Sequence, residues 1–291
     1  MLGNGNHYIL SSSFIDLLST ESGGAILFSS GGCEICIEEC NFVKCISEKL
    51  GGAIYTSQTN SIIIVKTCGS DCAAYSSYHF AYIATSYSNI LSIISSTIAQ
   101  CSSDIKINGR WMYYPMSFTY ANFSQRYTNV SRNIVSQFSV ARYDTNKIGS
   151  ITYTSYAHNY ASDGSGFIIC GGPYTFSHSN FVNITQTGSS YEGSILLYAG
   201  NPTVNFTLCV FLNNYKILCR SISGTALFSD CSFSHIYNNT NQVTYSSSVL
   251  TNTTLNIIHF TNDYCKADVN RKTNLHRIPL HFEFVFVFSI I

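Results

Sequence analysis

The densest set of side chains able to do chemistry is Cys33, Cys36, Cys40 and Cys45, and a Cys-x-x-Cys spacing is half of a zinc site. The other half does not follow. Cys40 ("CNF") also shares its neighbours with Cys209 ("CVF") and Cys231 ("CSF"), and a thiol recurring in one context reads as a small buried hydrophobe stacked on its equivalents. Cys68 and Cys72 could pair across a loop, and sequence leaves that pairing open. Beside the first cysteines stand Glu34, Glu38 and Glu39. Glu34 and Glu38, four apart, share a strand face and could meet a cation. Glycan cleavage needs clustered carboxylates, or carboxylate-held calcium beside a base, and no Asp-Asp pair or Asn-Thr-Asp motif occurs. The eight histidines form no His-Glu-x-x-His motif, and His178, His235 and His259 lie at different offsets from a nearby Phe, so they read as structural. No catalytic, cofactor-binding or metal-ligating residue is assigned, and no cofactor is expected.

The elements that position these side chains follow from composition and repetition. Of 291 residues, 45% are hydrophobic and only 10% charged, with zero formal net charge, so a core is affordable and no global field recruits nucleic acid or anionic lipid. Ser, Thr, Asn and 21 Tyr replace charge, a composition that suits strands and turns over helices. No apolar run is long enough for a membrane-spanning helix. The first twenty residues lack a basic n-region and an unbroken apolar stretch, so no signal peptide is visible. That start fits a cytoplasmic protein, an unconventional export route or a chain whose true beginning is missing.

Two columns recur. Gly23-Gly24-Ala25-Ile26 returns 28 residues later as Gly51-Gly52-Ala53-Ile54, with weaker copies at Gly164 to Phe167, Gly193 to Ile195 and Gly224 to Leu227. A second column places Phe two residues after a small residue or Cys: "CNFVKC" (40–45), "SNFVN" (179–183), "CVFLNN" (209–214), "CSFSHI" (231–236) and, loosely, "IHFTND" (258–263). The spacing of two places Cys40 with Phe42 on one face of a strand, which excludes helical repeats. A drifting period of about 22 to 31 residues is one coil of a solenoid that tolerates insertions. Phe42, Phe181, Phe211 and Phe233 should then stack inside, and Asn at the turns should stack through its amide.

The pair "GGAI" and "FxxN" resembles the repeats of polymorphic membrane proteins, found in bacterial autotransporter adhesins and in surface-protein families of parasitic protists. Residues 20–66 and 160–240 carry the resemblance; residues 67–160 carry little of it. It implies a right-handed parallel β-helix of the pectin-lyase-like type, surface display and adhesion, and does not imply catalysis.

Residues 104–149 lack both columns and gather Lys106, Arg110, Arg126, Arg132, Arg142 and Lys147 among Trp111, Tyr113, Tyr114 and Tyr127. Such a set could hold phosphate or an acidic glycan; the plainer reading is solvated charge on degenerate coils. Six Asn-x-Ser/Thr sequons (Asn122, Asn129, Asn183, Asn205, Asn238, Asn252) are no more than chance supplies. The tail alternates, with Phe282, Phe284, Phe286 and Phe288 on one face, and suits a cap.

The expectation is therefore an all-β parallel β-helix of about ten coils over residues 1–265, degenerate around 104–160, and a C-terminal tail over 266–291. Function is expected to be non-enzymatic recognition at a cell surface or outside the cell, with glycans or host surface proteins as partners and no nucleic acid. A polysaccharide lyase or hydrolase on the same rod, or a truncated repeat protein without activity, is the alternative.

Overall fold

The computed structural model describes residues 5–29, 31–85, 90–101, 114–135, 138–145, 147–162, 165–186, 194–199, 202–214, 217–221, 224–235 and 243–265. The tail at 266–291, with its four alternating phenylalanines, lies outside the described residues.

The described chain is all-β, wound as a parallel solenoid with three long faces. The first face runs from Asn6–Leu10 through Glu34–Glu38 and Ser61–Val65 to Val243–Ser246, ten strands in all. The second, also of ten, runs from Ser13–Ile15 through Asn41–Val43 to Val249–Leu250, and the third, of eight, from Ile26–Phe28 to Ile217–Ser221. In six turns a further two-residue strand follows the second face, so six turns rather than about ten carry the full set of four strands. Turn length varies from 17 residues (Phe233 to Leu250) to 32 (Ile98 to Val130); the first two faces keep register through this drift, and the third shifts register between Ile83 and Thr85 and between Phe138 and Ala141.

The central column of the second face is Phe14, Phe42, Gly69, Ile98, Val130, Tyr156, Phe181, Phe211, Phe233 and Leu250. The expected Phe column is thus real. Its rings stack at centroid distances of 4.9 Å for Phe14 and Phe42, 4.6 Å for Phe181 and Phe211, and 5.2 Å for Phe211 and Phe233. Full burial of each such ring contributes about 1.5–3 kcal/mol. Where Gly69 interrupts the column, Phe80, the residue before the third-face strand Ala81–Thr85, fills the gap and meets Phe42 edge-on at 6.1 Å. Phe260 of "IHFTND" does not belong to the column and lies in the C-terminal segment described below.

Two corners flank each second-face strand, and both are built on left-handed residues. At the first, residues such as Glu39, Lys66, Tyr127, Tyr153 and His178 take φ of 46 to 54°. The next residue in each turn is Ser12, Cys40, Thr67, Ser96, Thr128, Thr154, Ser179, Cys209, Cys231 or Ser248. Every one donates its hydroxyl or thiol to the carbonyl two residues earlier, at 2.8 to 3.5 Å. Cys40, Cys209 and Cys231 therefore do share a column, as members of a donor row in which Ser and Thr serve equally. The slot asks for one short donor to hold a tight bend.

At the second corner the residue after the left-handed one is Cys45, Cys72, Cys101, Asn133, Asn159, Ile184 and Asn214 in successive turns. Asn159 donates Nδ2 to the Val130 carbonyl at 2.9 Å, and its Oδ1 accepts from both Asn133 N and Asn133 Nδ2 at 3.0 Å. Asn214 bonds Phe181 O and Ile184 N likewise. In the same slot Cys45 and Cys72 donate to Phe14 O and Phe42 O at 3.4 Å. The amide row thus lies three residues after the central column. Asn183, which closes "SNFVN", stands one residue before that row as the left-handed residue, φ 49°, its side chain meeting His158 Nδ1 at 3.2 Å.

The two Gly-Gly pairs open the third face, where Ile26 and Ile54 are in register. Gly23 and Gly51 have φ of 73 and 67°, and a Cβ on Gly24 would sit 2.0 Å from the Gly52 carbonyl oxygen, a contact only glycine allows. Gly224 is a correction: Thr225–Ser229 after it belongs to the first face, so this copy is not equivalent. Gly164 and Gly193 lie outside the described residues.

After the last rung the chain turns back. Residues 251–265 run outside the solenoid across the outward residues of the second face, which explains why Thr97, Asn129 and Asn180 are buried there. Asn180 grips Leu255 through both backbone groups at 2.9 Å, Thr97 donates to Phe260 O at 2.5 Å, and Asn262 donates to Asn41 at 2.6 Å. Cys265 closes a disulfide with Cys68 across 197 residues. Five coil steps at ~4.8 Å separate Asn180 from Asn41, and seven extended residues at ~3.3–3.6 Å cover that span, so the segment is drawn nearly straight.

Candidate functional site

The sequence clusters are dispersed by the winding. Cys33 is buried before a first-face strand, Cys36 points outward from it, Cys40 sits in the first corner and Cys45 in the second. Among the described residues no three His, Cys, Asp or Glu side chains are grouped to hold a metal ion. Burial pushes the thiols of Cys40, Cys101 and Cys209 up, so they remain protonated. Cys68 pairs with Cys265 and not with Cys72, which is a free buried thiol of the second corner. Glu34 and Glu38 do share the outward side of one strand. Glu39 turns away to Lys66 at 2.9 Å, and that hydrogen bond holds its carboxyl below the usual range.

His178 stacks on Tyr153 at the first corner, His235 meets Ser234 at 2.9 Å, and His259 rides on the C-terminal segment. Of the sequon asparagines, Asn122 and Asn252 are exposed, Asn129 is buried, and Asn238 lies outside the described residues.

The basic and aromatic stretch is likewise divided. Lys106, Arg110, Trp111 and Tyr113 lie outside the described residues, Arg126 ends a first-face strand, and Arg132 occupies the second corner. Arg142 and Tyr114 do come together. Arg142 lies on the outward side of the third face, in the column Leu27, Tyr55, Tyr82, Ser117, Arg142. Its guanidinium carbon stands 5.9 Å from the Tyr114 ring centre, and its Nη2 meets Asp144 at 2.5 Å.

Tyr114 opens a chain of rings. It stacks on Tyr78 at 5.5 Å, Tyr78 leans on Tyr82 at 4.8 Å, and Tyr82 stacks on Tyr55 at 5.3 Å. Tyr78 holds the left-handed position that Gly23 and Gly51 fill in earlier turns, φ 66°, so a ring stands where those turns present only backbone. Desolvation pushes the Tyr78 and Tyr82 phenols up, and Tyr114 to about 12. Burial pulls Arg142 down, but the Asp144 hydrogen bond and the neighbouring tyrosines outweigh it and the net shift is upward. The patch therefore shows the part-buried rings of Tyr55, Tyr78 and Tyr82, backed by buried Tyr114, beside the fixed Arg142 cation.

A second set of rings stands on the first corner. Tyr127 and Tyr153 are parallel at 5.0 Å, 5° between planes, and His178 continues the stack at 4.9 Å. Both tyrosines are exposed. Rows of planar rings with hydroxyl edges offer apolar faces together with donors and acceptors.

No family model, curated protein or solved structure matches this chain. The fold and its surface carry the functional reading. Sequence reasoning missed the third-face patch because Tyr55, Tyr78, Tyr82 and Arg142 span four turns, and only the register makes them neighbours.

Proposed function

We propose that this protein is a non-enzymatic β-helix displayed on a cell surface or secreted, and that it recognises glycans through its outward aromatic rows. The observation that carries the reading is the chain of four tyrosines ending in the Arg142–Asp144 pair on the third face. Sugar rings present axial C–H faces that lie on aromatic planes, and their hydroxyls take the donors and acceptors such a patch offers. The corner row of Tyr127, Tyr153 and His178, one ring per coil, suits a polymer with repeating units, in keeping with the resemblance to surface-adhesin repeats. The Cys68–Cys265 disulfide supports an oxidising compartment, since such bonds are rare where glutathione keeps thiols reduced.

Binding to an array of neutral and acidic glycans tests the proposal. A ligand should be found whose affinity falls about tenfold or more in Tyr82→Ala and in Arg142→Gln, a loss in the range for removing an aromatic anchor or a charged contact. Absence of any ligand on a broad array, or binding unaffected by both changes, would overturn it. Product appearing on incubation with polysaccharide, with or without calcium, would instead favour the lyase or hydrolase.

A further inference from the structure

We propose that the Cys68–Cys265 disulfide is a site of thiol–disulfide exchange and acts as the latch of a removable cover, residues 251–265, over the second face. The inference is independent of the glycan reading. What lies under the cover is a row of outward polar residues, with Thr97 fully buried, Asn129 2% and Asn180 4% exposed. Outward polar side chains on a solenoid face meet solvent unless something is laid over them.

The cover is held in an unusual way for a protein segment. It forms no strand with the rungs it crosses; Ile258 is 84% exposed and Leu255, Ile257 and Phe260 are only part-buried, so apolar burial retains it weakly. Its polar contacts include the two-point grip of Asn180 on Leu255, the Thr97 bond to Phe260, the Asn262 bond to Asn41 and a long contact of His259 with the Tyr127 carbonyl, beside the disulfide. A few net-weak hydrogen bonds do not offset the ordering of more than ten residues, so the covalent bond decides whether the segment stays down. Segments with few buried contacts and solvent-facing backbone are those that open locally.

Cys68 and Cys265 are both buried while Tyr264 beside them is exposed, so opening starts with fraying at that end of the segment and requires a dithiol reductant. Its thiolate attacks one sulfur of the cystine, giving a mixed disulfide and releasing the other cysteine as a thiol. Its second thiol then closes the reductant's own disulfide and frees the second cysteine. The protein gains two electrons and two protons, and the reductant loses the same. The Asn and Thr row is then uncovered beside the ridge of Tyr127, Tyr153 and His178, whose Tyr127 carbonyl now faces His259 of the cover.

Hydrogen exchange on the full-length protein, oxidised and after treatment with a small dithiol, tests the latch. Reduction should raise exchange at the Leu255 amide about tenfold or more, to a rate far above those of the Phe42, Val130 and Phe211 amides, which still wait on global unfolding. Cys265→Ser should reproduce this without reductant. Asn180→Ala, with the disulfide intact, should raise exchange at Leu255 alone. Finding Cys68 and Cys265 unlinked in a non-reducing peptide map, unchanged exchange on reduction, or loss of protection throughout the solenoid at once would each overturn the proposal.

Discussion

At the scale of the residue, the buried ionisable groups set the pH response. His79 is fully buried and accepts a hydrogen bond from Ala74 N through Nδ1, and burial lowers its pKa to about 4. The unfolded chain binds that proton near pH 6.5, so the folded state is disfavoured as pH falls from 6.5 towards 4 and keeps its full stability above that window. Urea midpoints should report a loss of about 3 kcal/mol across it, and His79→Gln should remove most of the slope. His259 adds a smaller contribution of the same sign, since burial lowers it too. The second-corner slot makes another residue-scale prediction. Cys101 lies between Cys72 and Asn133, whose side chains fill equivalent positions. Cys101→Asn should therefore cost under about 1 kcal/mol, whereas Cys101→Leu, bulkier and without a donor, should cost about 2 kcal/mol or more by denaturant melts.

At the scale of the element, the faces depend on complementary exceptions. A Cβ on Gly69 would lie 2.3 Å from Phe80 Cε2, so Gly69→Ala should destabilise by about 1–3 kcal/mol through overpacking. Phe80→Leu alone leaves a gap over Gly69. The double variant should be more stable than the sum of the two losses implies, and a thermodynamic cycle of melts checks that coupling. The same pair shows how far the sequence could be read. Phe42, Phe181, Phe211 and Phe233 were legible because two-residue spacing from a small donor survives every insertion. Gly69 and Phe80 were not, because one member of the column is replaced by the residue before a third-face strand. The corner rows were half legible: Cys40, Cys209 and Cys231 announced a column that Thr67, Ser96 and Thr154 concealed, one donor being as good as another. Gly224 misled because a glycine before an alternating run marks a strand without saying which face it joins. Of the aromatic patch, Arg142 and Tyr114 were legible as members of one basic and aromatic stretch; Tyr55, Tyr78 and Tyr82 were not, since coils of unequal length bring them near.

At the scale of the molecule, one covalent link spans most of the chain. Cys68 and Cys265 enclose 197 residues, and restriction of so long a loop in the unfolded ensemble contributes up to about 5 kcal/mol. The Cys68→Ser, Cys265→Ser double variant should unfold at a correspondingly lower denaturant concentration, read by the loss of β-sheet circular dichroism. The segment that carries Cys265 offered only the misleading "IHFTND", because its partners, Asn180, Thr97 and Asn41, lie 75 to 221 residues away, and Asn180 and Thr97 read its backbone and not its side chains.

The left-handed corners have a consequence for how such a chain can diversify. Each turn places one outward side chain at the same height and angle, and the bend beneath it is secured by a neighbour, so Glu39 beside Lys66 and Tyr127 beside Tyr153 are equally admissible there. The rod behaves as a rack with interchangeable labels, one per winding. Mutation can rewrite what is shown to the outside, letter by letter, and leave the spine untouched.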